Sequence, residues 1–160
     1  MADSKDKGGE HPLGDAGQLV LFLLFVAVWV IDSFFLRFST RPAESVPLIP
    51  RIVLAGVALV AAVMLVKAAH PIMDHGKAPR ELVTTGVFGR VRHPLYLGCI
   101  LFYLGLVLST LSIASAAVFV LIVLFYDHIA RYEERLLLGR FGEEYERYME
   151  RSGRWLPRVG

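Results

Sequence analysis

Residues 94–126 carry no charged side chain. As one α-helix this run would reach about 50 Å at about 1.5 Å per residue, far beyond the roughly 30 Å of a bilayer's hydrocarbon core. It must therefore fold back. The polar cluster Ser109, Thr110, Ser112 and Ser115 lies at its middle, where a tight turn belongs, so the run is predicted to be a helical hairpin. Two further stretches are candidate spans, the first long enough by itself and the second short unless its flanking cations snorkel. Residues 16–36 hold a single acid, Asp32. Residues 52–66 are bounded by Arg51 and Lys67, whose long stems can snorkel, and Pro47 and Pro50 mark a helix start near Leu48. The chain thus reads as an all-α, polytopic membrane helical bundle of four transmembrane helices, at about residues 16–37, 48–69, 94–109 and 112–130.

Composition agrees and excludes other classes. With 55% hydrophobic residues and a mean hydropathy of +0.53, the chain is too apolar for a soluble domain, and 160 residues are too few for two domains. A net charge of +2 gives no field that argues for nucleic acid. The single cysteine, Cys99, excludes an intrachain disulfide framework and reads as a packed core thiol. The basic residues matter by position: four spans put 14 of the 17 on one side, leaving Arg37, Arg41 and Arg51 on the other. Cytoplasmic loops are enriched in Lys and Arg, so both termini and the loop from Lys67 to His93 are expected to be cytoplasmic. Residues 1–15 read as a short disordered lead rather than a cleaved signal peptide, and residues 16–160 as one membrane domain.

Beyond Tyr126 the helix is expected to continue, charged, through residues 127–138, with Gly139 and Gly142 ending and re-aiming it. Residues 143–151 read as a small amphipathic helix, forming with the tail a cytoplasmic helical cap. Arg154, Trp155, Leu156 and Pro157 then suit the headgroup layer.

Two constellations could carry chemistry. The first runs from Gly86 through Phe88, Arg92, His93, Pro94 and Tyr96 to Gly98. Pro94 fits a first helical turn, whose unpaired amides favour an anion, and His93 is the one group there able to change charge near neutrality. Taken alone, Arg92 and His93 read first as headgroup anchors and Tyr96 as an aromatic-belt residue. The second comprises Glu133, Glu134, Leu137, Phe141, Gly142, Tyr145 and Tyr148, followed by Arg151, Arg154 and Pro157. Adjacent carboxylates on a helix do not share a face, so one glutamate is expected at a common site and the other outward, against Arg131 or Arg140. Alone, this block reads as a solvated helix. Asp32 is expected to be structural, near Arg37 at its helix end. His70, Asp74 and His75 lack the spacing of a metal site and read as loop, and Phe102, Tyr103 and Phe125 as lipid- or core-facing aromatics.

Together the two blocks resemble the integral-membrane methyltransferase family that includes isoprenylcysteine carboxyl methyltransferases and phospholipid methyltransferases. The first matches Gly-x-[Phe/Tyr]-x-x-x-Arg-His-Pro-x-Tyr-x-Gly, the second Glu-Glu-x-x-Leu-x-x-x-Phe-Gly-x-x-Tyr-x-x-Tyr, and Arg154 to Pro157 supply a terminal Arg-x-x-Pro. The resemblance covers about half of the chain. It implies S-adenosylmethionine as methyl donor, held by Arg92, His93, Tyr96, Glu133, Glu134, Tyr145 and Tyr148, with residues 131–160 as a cofactor-binding tail. It also implies a lipophilic acceptor, reaching the site from among the membrane lipids. A carboxylate nucleophile would find a counter-charge in Arg151 or Arg154, whereas an amine would need a base, for which Glu133, Glu134 or His93 is available. Gly153 departs from the proline of many relatives and leaves the path of the tail open. Membrane sterol reductases, which use a nicotinamide cofactor, resemble the same hairpin-plus-tail design, and a non-catalytic membrane subunit is a further reading.

Overall fold

The computed structural model describes residues 14–70 and 81–158. Lys5, Lys7, Asp74, His75, Lys77 and Arg80, with all but the last two residues of the expected lead, lie outside them. Among the described residues the chain is helical with no strand, as the sequence predicts. Helix α1 (Gly14–Val30) continues as a π-helical turn, Ile31–Leu36, and a four-residue helix α2 (Pro42–Ser45) follows. Helix α3 (Leu48–Ala69) starts directly after Pro47, where the proline pair places it. Helices α4 (Pro94–Thr110) and α5 (Ile113–Phe141) form the hairpin, and α6 (Glu143–Arg151) is the amphipathic segment. Among the described residues three helices are long and apolar enough to cross a membrane: Gly14–Leu36, Leu48–Ala69 and Ile113–Phe141. At 17 residues α4 is shorter, about 25 Å.

The hairpin turn falls within the polar cluster. Leu111 adopts a left-handed conformation (φ 51°), and the Ser112 hydroxyl caps α5 by accepting from the Ser115 amide at 3.0 Å. Asp32 holds this turn, in a way that differs from the expected pairing with Arg37. Its carboxylate is 5% exposed and accepts from the Ser39 amide (3.1 Å), the Ser39 hydroxyl (2.5 Å) and the Ser112 hydroxyl (2.5 Å). Left-handed backbone at Arg37 (φ 50°) turns the chain so that Ser39 returns to Asp32 while the Arg37 side chain stays outside. Hydroxyls therefore take the place of the expected cation.

Phe25, Tyr103, Val107, Ile122 and Tyr126 form the buried core, joining α1 to both arms of the hairpin, and Phe25 meets Tyr103 edge-on at 4.8 Å. Cys99 packs against this cluster, partly buried. On the other side of α4, helix α3 buries Ala55, Ala58, Ala62 and Ala69. Backbones approach closely here: a Cβ on Gly105 would lie 2.9 Å from Leu59 Cγ and 3.2 Å from the Ala55 carbonyl oxygen. Small residues suit such a seam because lipid tails already satisfy large apolar side chains, leaving close packing as the source of helix association. Helix α5 runs through Gly139 without interruption. Gly142 alone ends it, with φ 52°, a conformation glycine adopts without steric cost.

Candidate active site

Both constellations meet at one end of the hairpin. Residues 90–93 precede α4, and the charged end of α5 passes beside them. His93, 8% exposed, sits between the two glutamates. Its Nδ1 lies 3.6 Å from Glu133 Oε2 and its Nε2 3.4 Å from Glu134 Oε1. The expected division of the pair into one inward and one outward carboxylate does not hold. Although their Cβ atoms diverge by about 100° around the helix, both side chains are long, and the imidazole stands over the groove between them. The rings of His93 and Tyr96 stack at 5.6 Å with an interplanar angle of 3°, and the Tyr96 hydroxyl donates to Glu133 Oε1.

Glu134 is the hub of the cluster. It accepts from Arg92 Nε at 2.9 Å and from Arg154 Nε and Nη2 at 3.1 and 2.5 Å. Such charge-assisted bonds are roughly twice as strong as neutral ones. The carboxylate beside it holds the Arg154 guanidinium still more firmly protonated than usual. Arg92 also donates to the Met149 and Ser152 carbonyl oxygens, fixing the end of α6. Asp127, the first charge after the uncharged run, accepts from Arg154 Nη1 and Trp155 Nε1 at 3.2 Å each and from Arg131 Nε at 2.7 Å.

Helix α6 packs Tyr145 and Tyr148 inward against α5. Tyr148 donates to the Phe88 carbonyl oxygen at 2.7 Å, tying α6 to the 3₁₀ turn Gly86–Gly89. Burial raises both tyrosines above the usual phenol range, and the nearby Glu134 charge adds to the shift, so both stay protonated donors. The tail is clipped by a parallel bridge between Val91 and Gly153: the Arg92 amide donates to the Gly153 carbonyl at 2.8 Å, and the Gly153 amide to that of Arg90 at 3.1 Å. A Cβ on Gly153 would fall 1.6 Å from the Leu156 carbonyl oxygen, so the tail closes tightly enough to require glycine.

Of the residues singled out in the sequence, Arg92, His93, Tyr96, Glu133, Glu134, Tyr145, Tyr148 and Arg154 are brought together. Arg151 is not: it is exposed, and its Nε donates to the Arg147 carbonyl oxygen one turn back on α6. Asp127 belongs to neither motif, and its one signal in the sequence is its position at the end of the uncharged run. Two buried polar atoms in the cluster make no well-formed hydrogen bond: the Tyr145 hydroxyl, and His93 Nε2, which faces Glu134 Oε1 at 3.4 Å. Native proteins rarely leave such groups unpaired, so the pair marks where a ligand's polar atoms would be received. Among the described residues no group of three or more His, Cys, Asp or Glu side chains could hold a metal ion.

Comparison with known proteins places this geometry in context. The model of the phospholipid methyltransferase family matches residues 51–144, from the start of α3 to that of α6. The nickel-cobalt-cadmium resistance protein of Alcaligenes xylosoxydans xylosoxydans is 38% identical over 85 residues, 52% of this chain and 39% of that protein. The probable protein-S-isoprenylcysteine O-methyltransferase of Oryza sativa subsp. indica is 33% identical over 89 residues, 55% of this chain and 47% of that protein. The protein-S-isoprenylcysteine O-methyltransferase of Saccharomyces cerevisiae is 31% identical over 90 residues, 56% of this chain and 38% of that protein. The matches thus span less than half the length of these curated relatives.

Proposed function

The chain belongs to the phospholipid methyltransferase family, and from that premise we propose that it transfers a methyl group from S-adenosylmethionine to a lipophilic acceptor at the membrane. The observation that carries this reading is the convergence of both motif blocks on His93, with two buried polar atoms there that make no well-formed hydrogen bond. The donor supplies an electrophilic methyl group, which asks little acid–base chemistry of the protein. What remains is to hold donor and nucleophile in line and to exclude water. Arg92, His93, Tyr96, Glu133, Glu134, Tyr145 and Tyr148 are the residues to hold the donor. The Tyr145 hydroxyl offers a hydrogen to an acceptor atom, His93 Nε2 offers a second polar contact, and the glutamates face the donor's positive charge.

The acceptor carries an isoprenylcysteine-type carboxylate or a lipid amine. Arg154 would supply the counter-charge for a carboxylate, and Glu133 or His93 would take the proton of an amine. Trp155 lies beside the cluster on the tail side, its ring 6.0 Å from that of His93, and a tail closed there would leave the bilayer as the route for an apolar substrate. Calorimetry in detergent tests the donor, and turnover of lipid-tailed and tail-less acceptors tests the route. S-adenosylmethionine and its demethylated product are expected to bind while NADPH does not. Stabilisation by NADPH alone would replace this reading with a reductase. Robust methylation of small soluble acceptors with no gain from a lipid tail would exclude the lateral route.

The same proposal includes the topology: four crossings, α4 being the short one, with residues 16–160 as one domain and both ends cytoplasmic, supported by the asymmetry of the basic residues. The exposed Arg158, changed to cysteine in a Cys99→Ala background, is expected to react with an impermeant thiol reagent only from the cytoplasmic side of oriented vesicles. Labelling only from the opposite side would overturn it.

A further inference from the structure

We propose that Asp127 is a positioning residue that sets the Trp155 indole over His93 and so closes the tail on the donor pocket. The closing of a donor pocket rests on the function proposed above, whereas the placing of Trp155 does not. Two consecutive tail side chains converge on one oxygen: Arg154 Nη1 and Trp155 Nε1 each donate to Asp127 Oδ1 at 3.2 Å. The two depend on it unequally. Without Asp127, Arg154 would keep its bonds to Glu134, and the backbone would keep the pairing of Gly153 with residues 90 and 92. The indole N–H would lose its one hydrogen bond among the described residues.

That indole is well placed to matter. Its ring lies 6.0 Å from the His93 ring, tilted by 44°, and packs against the core formed by Phe25, Tyr103, Val107, Ile122 and Tyr126. It therefore covers the imidazole whose Nε2 makes no well-formed hydrogen bond. Arg131, with a side chain 63% exposed, meets the other carboxylate oxygen from the solvent side and balances the charge without touching the tail. A carboxylate at the end of a long uncharged helix carries a desolvation cost. Three donors offset it here, two of them from the tail, so helix and tail are joined at this depth and no other side-chain bond places the ring.

The test uses the full chain in detergent with Trp29→Phe, which leaves Trp155 as the single tryptophan. Asp127→Ala is expected to red-shift Trp155 emission and raise acrylamide quenching about twofold or more. Asp127→Asn, which keeps a carbonyl oxygen for the indole, and Arg131→Ala are expected to stay near the parent. Melting temperature and circular dichroism report on the fold, and Asp127→Leu substitutes if the alanine variant does not fold. On S-adenosylmethionine affinity, Asp127→Ala and Trp155→Phe are each expected to cost about fivefold to tenfold, the scale of one hydrogen bond, and the double variant no more than either alone. Unchanged quenching in folded Asp127→Ala or Asp127→Leu, or additive losses in the double variant, would overturn the proposal. Failure of the parent to bind S-adenosylmethionine would sink the methyltransferase reading while the quenching result still decides the role of Asp127.

Discussion

Changing Glu134 to alanine is expected to weaken S-adenosylmethionine binding by about 10²- to 10³-fold. The Arg92 side chain is 9% exposed, and Glu134 is its carboxylate partner. Removing one member of a buried ion pair leaves the other uncompensated and costs about 3–5 kcal/mol of stability. In the proposed site the donor's positive charge would lose the same carboxylate, which sets the loss of affinity at about two to three decades. Arg154 would retain Asp127. Arg92 would be drawn toward the Met149 and Ser152 carbonyl oxygens or toward solvent, and His93 would lose one of its two flanking carboxylates. Glu134→Gln keeps an acceptor oxygen without the charge and is expected to fall between. The exposed Arg151, changed to alanine, is expected to alter affinity by less than about threefold. Calorimetric titration of the folded variants decides it, and parental affinity in Glu134→Ala would remove Glu134 from the site.

The second large effect is expected at Gly153. An alanine there would place its Cβ 1.6 Å from the Leu156 carbonyl oxygen, a separation that only a rebuilt tail can relieve. The obstacle is main chain rather than a flexible side chain, so no rotamer change accommodates it. Moving Leu156 pulls on Arg154 and Trp155, which lie between. We expect donor affinity to fall more than tenfold and Trp155 to become accessible to quencher, while helix content stays within a few per cent, since the five buried residues of the core all lie on α1, α4 and α5 and Trp155 only packs against them. The expected signature is thus a lost tail on an intact bundle. A Gly153→Ala protein that binds donor and shields Trp155 as before would show that the tail does not close in the way described.

Much of the fold is legible in the sequence because its causes are local. An uncharged run too long for one crossing had to turn, and serine and threonine at its middle fix where. A proline pair starts α3, and alternating charge past Tyr126 extends α5. The motif residues point to the site for the same reason, since each block is contiguous. What the sequence hid depends on pairings distant along the chain. Glu133 and Glu134 diverge on their own helix and converge only because His93, 40 residues away, lies between them. Asp32 looks like the neighbour of Arg37 until a left-handed residue presents Ser39 instead. Asp127 carries no motif, and its partners lie 27 and 28 residues further on. Gly139 and Gly142 look alike in sequence, and the backbone turns only at the second.

The union of α1 with the hairpin also has a consequence for how the protein is made. The bonds that fasten α1 run from Trp29 to Leu106, from Ser33 to Thr110 and from Asp32 to Ser112, separations of 77 to 80 residues. Synthesis proceeds from the N-terminus at about 5–20 residues per second, so α1 emerges several seconds before the helices that receive it. Through that interval Asp32 has only the neighbouring Phe38 and Ser39 to bind it, and the first helix waits in the bilayer with an acid near one end. Helix α3 waits far less, because its partner α4 follows directly. The α3–α4 pair can therefore assemble first, with α1 docking last as the step that commits the nascent chain. A cell that degrades this protein during biogenesis would find its opportunity in that delay.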